Sequence, residues 1–268
     1  MLKKLLVILV LFLPKLLVAQ APKIESTLTN NFAWEVKQID EFIERFDNTD
    51  STLIQTYNLK HKIAPLTRSN LIKSLFNFSR TDWNFKELDM FLKQVDNKTS
   101  PVYISFFDDK WFANVSCSVI WDGKPKTVML KLKVLRQGSS TKWVIFDADA
   151  KFLSQGHTDR APQPVVPKAV DENAFLNPMS HSLNFFNLDM VSIDTKNIAN
   201  YLAPSSDYSN DFSLFITECI SHRLKIVSVK NVTYSFLQIK GWDIEIQQFN
   251  RSTKNSGWLI DKLIKLPS

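Results

Sequence analysis

From Val115 to Trp121 the apolar residues Val115, Cys117, Val119 and Trp121 alternate with polar Ser116 and Ser118, and Asn114 precedes them. An extended chain points successive side chains to opposite faces, so this segment reads as a strand with one buried and one wet face. Asp122-Gly123 follows as a hairpin turn, where glycine accepts a positive φ. Val128, Leu130, Leu132 and Val134 then alternate with outward Lys131 and Lys133. A polar turn, Gln137-Gly138-Ser139-Ser140, leads to a third long strand over Lys142–Phe152.

Helices precede these strands. Phe32, Val36, Ile39, Ile43 and Phe46 recur at steps of four and three, one face of a helix that Asn30 or Asn31 can cap. Further helices are predicted over Thr67–Phe78, with Thr67 as cap, and over Asp82–Val95. The segment Ser154–Asp171 holds three prolines and no apolar period, and reads as an extended strap. Beyond it the plan repeats. Asn177-Pro178 starts a helix whose stripe is Phe175, Met179, Leu183, Phe186 and Met190. A short helix over Ile193–Leu202 and strands over Phe212–Cys219, Leu224–Gln238, Trp242–Phe249 and Trp258–Leu266 follow. At an offset of 115, Trp143-Val144-Ile145 falls on Trp258-Leu259-Ile260, and Cys117, Val119 and Trp121 on Val232, Tyr234 and Phe236. The middle strands do not keep that offset.

The chain opens with Lys3 and Lys4, an apolar run over Leu5–Leu13, and small residues at Ala19 and Ala21. Those are the parts of a secretory signal peptide, with cleavage after Ala21 or after Ala19. Pro14 and Lys15 make the apolar run too short to cross a bilayer, so no transmembrane span is expected after cleavage. The leader carries Lys3, Lys4 and Lys15 and no acid, so its loss lowers the formal charge from +6 to +3. The remaining cations are mixed with acids, which speaks against nucleic-acid binding. With 44% apolar residues, among them 20 Phe and 7 Trp, the chain can build packed cores. Five glycines leave little for phosphate-cradling loops. Cys117 and Cys219 read as buried small residues rather than a disulfide.

Leading amphipathic helices followed by long antiparallel strands resemble the nuclear transport factor 2-like family, the cystatin-like fold of the SnoaL and ketosteroid isomerase types. The residues carrying the resemblance are Lys142-Trp143-Val144-Ile145 and Gly257-Trp258-Leu259-Ile260-Asp261, each behind a polar turn. It implies an α+β fold of two tandem units, each with N-terminal helices packed on a strongly curved antiparallel sheet. The expected bounds are a signal peptide over 1–21, one unit over 22–153, the strap over 154–171, and a short second unit over 172–268. The leader and the Lys, Asn, Ile and Phe bias resemble exported proteins of Bacteroidetes-type bacteria.

Some members of that family are isomerases with a buried Asp on a strand inside the cone, which directs attention to Asp147 and Asp149. On a regular strand both share a face with Trp143 and Ile145, where burial would raise a carboxyl pKa and suit a general base. A frayed strand end would instead leave both solvated. Asp261 sits on the opposite alternation, so the halves share no acid. Tyr103, Phe107, Trp111, Trp121 and Trp143 are the candidates for a ligand or interface site, against the alternative that such aromatics are core. Glu218, Cys219 and His222 are the only mixed cluster around a histidine, and no metal or cofactor is expected. The leading expectation is an exported, non-catalytic binding or protein-interaction module, periplasmic or extracellular, whose partner is a protein or a small apolar ligand. The alternative is a small-ligand carrier or isomerase-like enzyme using the first unit's cavity, with Asp147 or Asp149 as base near Tyr103.

Overall fold

The computed structural model describes residues 33–49, 53–137, 140–154, 176, 187–204 and 208–267. The expected leader, the strap beyond Ser154, the turn residues Gly138-Ser139, Phe32 with its cap, and the stripe from Phe175 to Phe186 lie outside them.

Asp122 and Gly123, with φ of 47° and 75°, join β1 (Trp111–Trp121) to β2 (Lys124–Gln137) in a two-residue hairpin. Positive φ at both turn positions matches the twist of the flanking strands. β3 (Ser140–Asp149) returns along β2. A second meander consists of β4 (Leu224–Phe236), β5 (Trp242–Phe249) and β6 (Gly257–Lys265). β1 and β4 pair antiparallel from Trp111↔Phe236 to Trp121↔Leu224. The result is one open, six-stranded antiparallel sheet in the order β3-β2-β1-β4-β5-β6. Two separately packed units were expected, yet the strands of both halves join in a single sheet over one continuous core.

Among the described residues the first half leads with α1 (Ile39–Asp47), α2 (Leu53–Lys60), α3 (Arg68–Ser74) and α4 (Phe85–Val95). The Thr67 hydroxyl accepts from the Asn70 N–H, and Asn84 accepts from the N–H groups of Lys86 and Glu87, so both ends are capped by side chains. Phe42 and Phe46 of α1 and Phe91 of α4 are fully buried, and Phe91 meets Trp242 edge to face. After β3 come α5 (Lys151–Ser154), α6 (Met190–Ile193), a 3₁₀ helix (Thr195–Tyr201) and α7 (Asn210–Ile220). α7 corrects the reading of Phe212–Cys219 as a strand. Ser209 caps it through the Phe212 N–H, and seven of its residues, Phe212 and Leu214 through Cys219, are buried. A helix covered on nearly every side lacks the polar stripe that reveals a 3.6-residue period. α5 likewise replaces the last predicted residues of β3.

The two helical layers reach across the molecule. Val36, predicted inside a helix, is extended and bonds to β6: its N–H donates to the Ser256 carbonyl at 3.1 Å, and Trp258 N–H donates to its carbonyl at 2.7 Å. Asn77 N–H donates to the Ile260 carbonyl at 2.9 Å. In the other wing Trp143 N–H donates to the Leu176 carbonyl at 3.2 Å, and Ala203 N–H donates to the Ile145 carbonyl at 2.8 Å. Each half therefore covers the edge strand of the other, and Trp143 and Trp258 take the same role, as do Ile145 and Ile260. Gly257 has a φ of 88°, and a Cβ there would collide with the Val36 backbone, so only glycine permits this approach.

Following the ladders across the sheet corrects part of the repeat. Leu132 pairs with Ala113 and Ile145, and Ile246 pairs with Tyr234 and Ile260. Equivalent residues are thus 121 apart in the first strands (Ala113, Tyr234), 114 in the second (Leu132, Ile246) and 115 in the third (Ile145, Ile260). The first-strand offset of 115 was slipped by six, an even number, which leaves alternation intact and so escapes a period-two argument. Both edge strands also bulge at equivalent places: the register shifts leave Phe146 in β3 and Asp261 in β6 unpaired.

Candidate functional site

The β3 bulge decides the fate of the two candidate acids. One extra residue reverses the side-chain alternation beyond it. Ala148 and Ala150 take the buried positions, while Asp147 is half-buried and Asp149 exposed. Neither acid therefore lies beside Trp143 and Ile145 on the core face. Asp147 is fully engaged: its carboxylate accepts from Lys131 Nζ at 2.9 Å, from Ser209 Oγ at 2.7 Å and from the Ala148 N–H at 3.0 Å. Burial pushes its pKa up, but the Lys131 and Ser209 hydrogen bonds outweigh burial and hold it below the ordinary carboxylate range. An ionised carboxylate tied to the residue that caps α7 is a brace, favourably placed at a helix N-terminus. Asp149 lies 3.4 Å from Lys151, an exposed pair of little energetic weight.

The five aromatic candidates separate into three environments. Trp111 and Trp143 are core, 5.2 Å apart edge to face, and Trp111 also stacks on Phe236 at 4.8 Å. Trp121 is half-buried at the far end of β1 and donates its indole N–H to Glu218 at 2.7 Å. Glu218 is 1% exposed and lies 3.4 Å from Arg223, which also pairs with Asp122. Glu218, Cys219 and His222 do not converge: the acid serves Trp121 and Arg223, the thiol is free and buried, and His222 sits in a turn with a φ of 55°. Among the described residues no three His, Cys, Asp or Glu come together as metal ligands.

Tyr103 and Phe107 are instead exposed, at 56% and 64%, in the segment between α4 and β1. The Arg68 guanidinium lies 4.5 Å from the Tyr103 ring centroid, and that of Arg136 5.7 Å from Phe107. Arg68 is the residue that sequence reasoning missed. It is buried and donates to the carbonyls of Phe46, Val95 and Val102 at 2.5 to 3.0 Å, with Asp47 at 3.8 Å and Asp96 at 3.9 Å. Nothing in the sequence around it distinguishes it from a solvated arginine opening a helix. Two of its targets, the Phe46 and Val95 carbonyls, lie at the C-terminal ends of α1 and α4, where a helix leaves carbonyls without intrahelical partners, and the third, Val102, lies in the segment after α4.

Asp47 completes this cluster by accepting the Ile104 N–H at 3.1 Å. Burial raises its pKa to about 6, against the opposing pull of the Ile104 hydrogen bond and of Arg68. The folded state then binds a proton more tightly than the unfolded chain. Asp47 accordingly stabilises most at low pH, and that contribution is lost as pH rises from about 4 through 6. Asp47→Asn keeps an acceptor for Ile104 and removes the titration. The variant is expected to gain about 2 kcal/mol relative to the parent between pH 4 and pH 8, by urea unfolding at each pH. A constant difference across that range would refute the assignment.

Taken together, the fold and these clusters define an α+β protein on one open antiparallel sheet, with an aromatic loop exposed at one end of β1. No family model matches the chain, and no curated protein or solved structure matches it either.

Proposed function

We propose that this chain is an exported, non-catalytic binding or protein-interaction module of the cell envelope, built from two diverged copies of one nuclear transport factor 2-like unit. The observation that carries the non-catalytic reading is Asp147, an ionised brace between Lys131 and Ser209 rather than a raised-pKa base in the core. The repeat is supported by the equivalent strap contacts of Trp143 and Trp258 and by the matched bulges at Phe146 and Asp261. Export rests on the leader, Lys3-Lys4 followed by Leu5–Leu13 and the Ala19–Ala21 cut.

The test has two parts. Edman sequencing of protein recovered from the periplasm or medium of producing cells should begin at Pro22, or at Gln20. Chain that stays cytoplasmic with residues 1–21 attached would remove the export reading. Crosslinking of intact cells should give a discrete complex that survives in Asp147→Asn and Asp149→Asn. A measured turnover or small-ligand affinity abolished by either substitution would hand the assignment to the carrier or isomerase-like alternative.

A further inference from the structure

Cations and acids mix along most of the chain, but from Ser51 to Thr81 no Asp or Glu occurs. Five cations fall in that stretch: Lys60, Lys62, Arg68, Lys73 and Arg80. The two arginines are engaged, Arg68 with Asp47 and Asp96, and Arg80 with Asp82 and Asp261. Lys60 and Lys62 are exposed and make no ion pair among the described residues.

These two lysines stand on a tip whose backbone is fixed. α2 ends in a Schellman turn: Lys62 N–H donates to the Leu59 carbonyl at 3.2 Å, and Ile63 N–H to the Asn58 carbonyl at 2.8 Å. The returning chain is tied to α2 by Gln55, whose side-chain oxygen accepts from Leu66 N–H at 3.4 Å and whose nitrogen donates to the Leu66 carbonyl at 3.2 Å. Ile54 and Asn58 are buried, whereas every residue from Leu59 to Pro65 is exposed, Leu59 at 67% and Ile63 at 48%. In such a turn the residue after the left-handed position often packs back onto the helix, yet Ile63 is left in solvent. Lys62 itself has a φ of 55°. That conformation favours glycine and, after it, asparagine, aspartate and histidine. The other non-glycine residues with positive φ among the described residues are Asn48, Asp122 and His222. Lysine is the exception. A charge stands where the backbone would be more stable with glycine, and strain held at an exposed tip points to a use for the side chain.

We infer that the tip Leu59–Ile63 docks the module on an anionic lipid surface. Leu59 and Ile63 enter the headgroup layer, and Lys60 and Lys62 meet the lipid phosphates. Lysine stems add apolar contact while their ammonium groups stay at the level of the phosphate oxygens. A fluid bilayer interface accepts projecting aliphatic side chains without a shaped pocket, which a protein partner would have to supply. Nucleic acid would use the cations and leave the aliphatic pair in water. Such docking is additional to the contact proposed above and does not depend on it.

Chain purified from producing cells is titrated with vesicles of equimolar phosphatidylcholine and phosphatidylglycerol, and with vesicles of phosphatidylcholine alone, and the bound fraction is read by cosedimentation. Binding to the anionic vesicles is expected, weaker by at least about tenfold on the neutral ones. Lys60→Gln with Lys62→Gln, and Leu59→Ser with Ile63→Ser, should each lose about tenfold or more, whereas Phe85→Ser, also exposed, should change nothing. Lys62→Gly separates backbone from charge: it should raise the melting temperature and still weaken vesicle binding by about fivefold. Unchanged affinity in both double variants, or equal affinity for neutral and anionic vesicles, overturns the inference. So does a loss confined to the lysine variants and matched on duplex DNA, the mark of a general polyanion site. A discrete polypeptide adduct from p-benzoylphenylalanine at position 63 in producing cells would assign the tip to a protein and overturn the lipid surface. In each of these outcomes the interaction reading stands.

Discussion

Residues 22–154 and 172–268, produced as separate chains, should each fail to fold alone and should recover a cooperative fold when produced together. The reason lies in the reciprocity of the two layers. An isolated second half would present β6 without Val36 and Leu75–Asn77, and β4 without β1. An isolated first half would present β3 without Leu176 and Ala203. Uncovered strands offer unpaired backbone groups to any other chain and aggregate. The core divides just as badly, since Trp111 loses Phe236 and Phe91 loses Trp242. Domains are stable by only about 5–15 kcal/mol, and burying one large apolar side chain contributes roughly 2 kcal/mol, so losing these contacts exceeds the margin. Circular dichroism, melting and gel filtration of each piece and of the mixture would check this. A cooperative melt from either piece alone would show independently folding units instead.

Arg68→Ala should be the most damaging single substitution among the charged residues. Truncation takes the side-chain donor from the carbonyls of Phe46, Val95 and Val102, leaving Val95 only the Val102 N–H, and leaves half-buried Asp47 without its cation. Removing one partner from a buried charged cluster costs about 3–5 kcal/mol. Lysine cannot reproduce three donors in a planar fork, so Arg68→Lys should restore only a minor part of the loss. Urea unfolding reads both variants, and a loss under about 1 kcal/mol for Arg68→Ala would contradict the central role given to this guanidinium.

What the sequence disclosed follows from what periodicity can encode. The alternation of β1, β2 and β5 was legible because each has one covered and one wet face, as in Val115, Cys117 and Val119 against Ser116 and Ser118. The turn at Asp122-Gly123 and the cap at Thr67 were within reach for the same local reasons. α7 was misread because burial on all sides erased its period. The bulge at Phe146 left no local mark, yet it turned Asp147 and Asp149 away from the core. Which half covers which edge is a long-range choice that no window around Val36 or Leu176 contains. Of the interface candidates, Tyr103 and Phe107 lie exposed, while Trp111 and Trp143 serve as core, which composition alone could not divide.

The two thiols carry a practical corollary. Cys117 and Cys219 are wholly enclosed, one on β1 and one on α7, and burial pushes the Cys117 pKa up to about 12 and raises that of Cys219 further, with Glu218 adding to the latter. Alkylating reagents attack the thiolate, so neither sulfur reacts until its surroundings come apart. The native protein therefore carries a built-in stopwatch at the centre strand and another beneath the opposite wing, and equal ticking of the two would mean that the whole body opens as one.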